Sequence, residues 1–151
     1  MNEEAARMSS LQAQGFHCSQ ILLIMGLERQ GKENPDLVRA MTGLANGLGD
    51  MGRICGALTG AICLLGLYAG RGDASEQEHP LLNVLVQDLV TWFDETYGSQ
   101  YGSTDCQAIL QDDPWNRMLR CPVLVVETYA KVMALLGEHG FLTGSNNDTG
   151  S

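Results

Sequence analysis

Apolar residues in this chain recur at helical spacing, not in the alternation of strands. Met8 and Leu11 mark a short amphipathic stretch over Glu3–Gln14. Ser19 to Arg29 is apolar almost all round (Ile21, Leu22, Leu23, Ile24, Met25, Leu27), the pattern of a central helix. Asn34 and Pro35 supply a cap and a first helical position, and Leu37, Met41, Leu44 and Leu48 then repeat at four, three and four. This third helix is expected to run out in Gly47-Leu48-Gly49-Asp50-Met51-Gly52. A fourth covers Cys55 to Ala69 within the longest uncharged run of the chain. A fifth, from Pro80 to Tyr97, carries Leu82, Leu85, Val86, Leu89, Trp92, Phe93 and Tyr97, with a break expected over Gly98–Gly102. Asp105 to Leu110 adds one short turn. Pro122 opens the last long helix, to Glu138, with Val125, Tyr129, Val132 and Leu136 inward.

The expected fold is therefore all-α, a single-domain bundle of about five or six helices over residues 1–143, followed by a polar tail at 144–151. The uncharged run is shorter than the ~20 apolar residues of a bilayer span and is broken by Gly56, Gly60 and Gly66, so it reads as a buried helix. Gly56 and Gly60 stand four apart on one helix face, where another helix or a cofactor can come close.

Charge and cysteine usage narrow the chemistry. With 9 Lys+Arg against 18 Asp+Glu the formal charge is −9, which argues against a nucleic-acid or anionic-membrane surface. Met1–Arg7 has neither a basic segment nor an apolar core of a secretory signal, so the expected compartment is the cytoplasm. Five cysteines in a reducing compartment point to metal binding, redox chemistry or simple burial. Cys18, Cys55, Cys106 and Cys121 each fall at an expected helix start, where free N–H groups and the helix dipole favour thiolate. Arg53 and Arg120 stand close in sequence to Cys55 and Cys121 as further stabilising cations. Cys63 falls mid-helix and reads as a buried small hydrophobe.

The spacings form no CxxC, so any site must be assembled by the fold. His17 adjoins Cys18 and is weighed as a ligand or proton partner, although a lone histidine is more often structural. His79 and His139 read as solvated, as does the Asp112-Asp113 turn.

Cys55-Gly56-Ala57-Leu58-Thr59-Gly60, the Gly15-Phe16-His17-Cys18-Ser19-Gln20 segment, Cys106 in Asp105-Cys106-Gln107-Ala108 and Cys121 in Cys121-Pro122-Val123 together resemble the C_GCAxxG_C_C family, named for four cysteines and a CGAxxG motif. The resemblance runs from about Gly15 to Leu136. Cys63 matches none of the four family cysteines. The resemblance implies a redox role and kinship with a domain of the split-Soret cytochromes, for which iron–sulfur binding has been proposed. The chain has no CxxCH and so no c-type haem site.

Three functions follow as expectations. In the first, Cys18, Cys55, Cys106 and Cys121 bind an iron–sulfur cluster, [2Fe–2S] being the form expected, or zinc in its place, and pass electrons to a redox partner protein. In the second, the same cysteines form a metal-free thiol–disulfide oxidoreductase. In the third, the chain is a non-redox helical interaction module. A homodimer is the oligomeric expectation, resting on small size and the close-approach glycines.

Overall fold

The structure, a computed structural model, describes residues 2–142, so the polar tail expected at 144–151 lies outside the described residues. Seven helices form the described fold: α1 (Glu3–Ala13), α2 (Cys18–Arg29), α3 (Pro35–Ala40), α4 (Gly56–Ala69), α5 (Leu82–Phe93), α6 (Cys106–Leu110) and α7 (Pro114–Glu138). A 3-10 turn, Thr42–Leu44, follows α3. Beyond Phe93, α5 widens into a π-turn at Asp94–Gly98 and closes with one more turn, Ser99–Tyr101. Within the expected Gly98–Gly102 break the helix therefore continues through Tyr101, and the chain leaves it at Gly102, where φ is +92°. Among the described residues no strand forms, and no helix is long and apolar enough to cross a membrane.

The centre of the fold is the α2–α4 pair. α2 buries Ser19, Ile21, Leu22, Leu23, Met25 and Leu27, as its unbroken apolar pattern predicts. A Cβ at Gly60 of α4 would stand 2.7 Å from both Cα and O of Ser19. Symmetrically, a Cβ on Gly26 of α2 would meet Leu64 Cγ at 2.8 Å. The two helices thus interlock, each presenting a missing side chain to the other. Gly56 is different, because its added Cβ would find only ordinary contacts, the nearest at 3.5 Å to Leu44 O.

Around this pair, α1 is capped by Asn2, whose Oδ1 accepts from Ala5 N–H at 2.7 Å, and is tied to α2 by the Arg7–Glu28 ion pair. Buried Gln20 spans α2 and α3: its Nε2 donates to Val38 O at 3.1 Å and to Thr42 Oγ1 at 3.0 Å. α5 buries Leu85, Leu89, Phe93 and Tyr97, and the Phe93 and Tyr97 rings meet edge-on at 4.8 Å.

Two expected elements are corrected. The third helix stops at Ala40 instead of reaching Gly47, and Leu48 is 38% exposed rather than part of a buried stripe. Its register is lost because residues 46 to 50 all take positive φ, between +56° at Asn46 and +73° at Gly47. The last helix begins at Pro114, not Pro122, so Pro122 sits inside it and removes one helical hydrogen bond. Asp113 is its cap, with Oδ1 accepting from Trp115 N–H at 3.0 Å. Its added turns expose Trp115, Met118 and Leu119 at 64–68%. The inward stripe Val125, Tyr129, Val132 and Leu136 stands as expected.

Gly60→Ala is expected to destabilise the protein by about 1–3 kcal/mol through overpacking against Ser19, despite alanine's better helix propensity. Gly56→Ala should stay within about 0.5 kcal/mol of the parent. Denaturant midpoints of the two variants check this. Equal shifts would mean that the α2–α4 contact yields and does not constrain the fold.

Candidate functional site

Three of the four predicted cysteines do start helices. Cys18 is the first residue of α2, Cys55 caps α4 and Cys106 is the first residue of α6. The α2–α4 interlock sets the first two side by side: the position of a Cβ on Gly56 lies 3.6 Å from Ser19 N, next to Cys18. A short antiparallel backbone pairing supplies the third. Cys55 N–H donates to Thr104 O at 3.1 Å, Cys106 N–H to Arg53 O at 2.6 Å, and Gln107 N–H to Gly52 O at 3.0 Å. Ile54 and Asp105 form the bridge between the two segments.

Cys121 is the exception. It lies in the interior of α7, followed by Pro122, and so has no helix N-terminus to favour its thiolate. α7 nevertheless carries it to the same place. Cys18, Cys55, Cys106 and Cys121 all line one cavity of about 310 Å³, although 103 residues separate the first from the last. Phe16, Ile21, Val125 and Val126 supply apolar wall, and His17 and Arg117 also face it. Cys63 is elsewhere, half-buried against Leu23, Leu27 and Met41 rather than fully enclosed as expected.

The four thiols are not equivalent. The interaction between the Cys18 and Cys121 thiols holds Cys121 below the ordinary 9.0 and, with burial, raises Cys18 well above it. The guanidinium of Arg117 lowers Cys121 further against the opposing effect of burial. Cys55 is pushed up to about 12 by burial, although the Ala57 and Leu58 amides of the first turn of α4 favour its thiolate. Burial also raises Cys106, and Arg117 opposes it. The helix-start argument is therefore overruled by desolvation at Cys55 and Cys106, a larger effect than a few N–H dipoles in an enclosed site.

Arg117 is the residue that the sequence reasoning missed. The expected cations do not serve: the Arg53 side chain is exposed, and only its carbonyl takes part. Arg120 Nη1 donates to Ile109 O at 2.5 Å, and its guanidinium lies 4.8 Å from the centroid of the Tyr101 ring. Arg117 stands four residues before Cys121, on the same helix face, a signal available only once the helix is started at Pro114. His17 lines the cavity, and its backbone N–H donates to Gln20 Oε1 at 3.1 Å. His79 is exposed, with Nδ1 accepting from Leu81 N–H at 3.0 Å.

A cluster or zinc site asks for three or four thiolates converging on one metal at sulfur distances of about 2.3 Å. The donors are of the right chemical kind. Among the described residues, however, no three or more His, Cys, Asp or Glu side chains are grouped so as to hold a metal ion. The four cysteines share one cavity and supply sulfur donors to it.

The buried Cys55 thiol also makes a stability prediction. Its folded value lies above the ordinary one, so its contribution is complete below pH 9.0 and is lost as pH rises toward about 12. Denaturant midpoints on either side of pH 9.0 should show a smaller alkaline loss in Cys55→Ser than in the parent. An unchanged loss would assign the effect to other groups.

No curated protein and no solved structure matches the chain. A family comparison does, over residues 16–135, with the family described as "Putative redox-active protein (C_GCAxxG_C_C)". That match spans the four cysteines of the cavity and most of the sequence, and the chain belongs to the C_GCAxxG_C_C family.

Proposed function

We propose that the chain is a thiol–disulfide oxidoreductase in which Cys121 attacks and Cys18 resolves. The observation that carries this reading is that Cys18 and Cys121 line the same cavity, where Cys121 is the one thiol held below its ordinary value. A thiolate is the nucleophile of disulfide exchange, and it is most effective when its pKa falls toward ambient pH.

The steps balance without a metal. The Cys121 thiolate attacks one sulfur of a substrate disulfide; the S–S bond breaks, and the departing sulfur leaves as thiolate and takes up a proton. Cys18, once deprotonated, attacks the Cys121 sulfur of the mixed disulfide and expels the second substrate sulfur. The protein's two thiols become one disulfide, and the substrate disulfide becomes two thiols. Cys55 and Cys106, both buried and both raised, serve in this reading as neutral wall.

The test is exchange with 2-hydroxyethyl disulfide, followed by mass spectrometry of each cysteine peptide. Cys121→Ser should reduce exchange to background. Cys18→Ser should trap the Cys121 mixed disulfide. Cys63→Ala should exchange normally and cost no more than about 1 kcal/mol in stability. Equal exchange in Cys121→Ser and Cys63→Ala would overturn the assignment. Iron and acid-labile sulfide in protein purified without oxygen, lost in Cys121→Ser, would favour the four-cysteine cluster instead. Neither exchange nor metal would leave a helical interaction module.

A further inference from the structure

The cysteine cavity has an unusual charge for this chain. The formal charge is −9, yet among the described residues lining the cavity none is Asp or Glu, and Arg117 is the one permanently charged side chain. Arg117 is half-buried. Its Nη1 donates to Asn46 Oδ1, a neutral acceptor. Among the described residues the ion pairs are Arg7–Glu28 and Arg39–Asp36, and no carboxylate is at ion-pair distance from Arg117. A second groove beyond Arg117 carries Asp50, Asp112 and Asp113, and even these stay out of its reach.

A guanidinium has five N–H donors, and withdrawing it from water without a counter-charge costs free energy. Asn46 keeps it aimed. That residue holds φ at +56°, within the left-handed run that follows the Thr42–Leu44 turn. Arg117 and Cys121 are one turn apart, about 6 Å along the axis of α7. The cavity is of the size that holds a small molecule, not a folded protein surface.

We infer that the cavity is a receptor for a small anionic thiol or disulfide, with the ligand's carboxylate on Arg117 and its sulfur at Cys121. This rests on the thiol–disulfide reading for the sulfur half of the ligand. The anion half rests on the unpaired guanidinium alone, so the two are tested separately.

Suberate is 3,3′-dithiodipropionate with two methylenes in place of the sulfurs; it cannot exchange and reports only the anion half. Calorimetric titration of the native protein should show suberate binding about tenfold or more tighter than 1,8-octanediol or 1,8-diaminooctane. Arg117→Gln should remove that preference, and Arg117→Lys should keep part of it. Melting curves establish that the variants fold, and the comparison of the three ligands on native protein decides the matter even if they do not. Equal binding of the three ligands, suberate binding untouched by Arg117→Gln, or displacement of suberate by an equal concentration of sulfate would overturn the inference. 3,3′-Dithiodipropionate should likewise form the Cys121 mixed disulfide faster than 2-hydroxyethyl disulfide. Suberate binding at Arg117 without any exchange would remove the oxidoreductase reading and leave the anion receptor standing.

Discussion

The approach of α4 to α2 is the constraint on which the rest of the structure depends. Where Gly60 faces Ser19, backbone meets backbone with no room for a single carbon. Because Cys18 immediately precedes Ser19 and Cys55 caps the helix that carries Gly60, the same packing that closes the core also brings two thiols to one wall. The pairing of residues 52–55 with 104–107 then adds Cys106 by backbone hydrogen bonds, and α7 closes the cavity with Cys121. Site and core are therefore not separable: the cysteines are spread over the sequence, and each is placed by a different packing element.

Electrostatically the site runs against the chain that contains it. Enclosure makes thiolates costly, and three of the four cavity cysteines are raised for that reason or by a neighbouring thiol. Cys121 escapes through its interaction with the Cys18 thiol and a nearby guanidinium, which together outweigh its own burial. The result is one cavity thiol held below its ordinary value and three held above it, an asymmetry that four equivalent helix-start cysteines would not produce.

The all-α fold, the central α2, the close approach at Gly60 and the helix-start positions of Cys18, Cys55 and Cys106 were legible because each leaves a local pattern: a helical period, a glycine within a helical run, a break in that period just before each cysteine. The first turns of α7 were not. Trp115, Met118 and Leu119 are large and apolar, yet they point outward, so they give no inward stripe to read. Pro122 also resembles a helix start, because proline is favoured at a first position and nothing local says that the helix began eight residues earlier. That misplacement hid Arg117 as well. The left-handed run was foreshadowed by its glycines, but Leu48 and Asp50 carry no such signal, since neither residue type favours positive φ as glycine does.

The left-handed run also limits how the chain length can vary. Its hydrogen bonds close over six-residue spans: Gly49 N–H to Gly43 O, Gly52 N–H to Asn46 O and Arg53 N–H to Gly47 O, at 2.8–3.2 Å. A Cβ on Gly47 would lie 2.3 Å from Arg53 N, so the loop is packed on its own backbone. Surface loops usually absorb inserted or deleted residues at little cost. Here one added residue would shift Gly52 and Arg53 relative to the amides of α6, or Asn46 relative to Arg117. The count of residues between the Thr42–Leu44 turn and Cys55 is thus as much a part of the cavity as the sulfur atoms that line it.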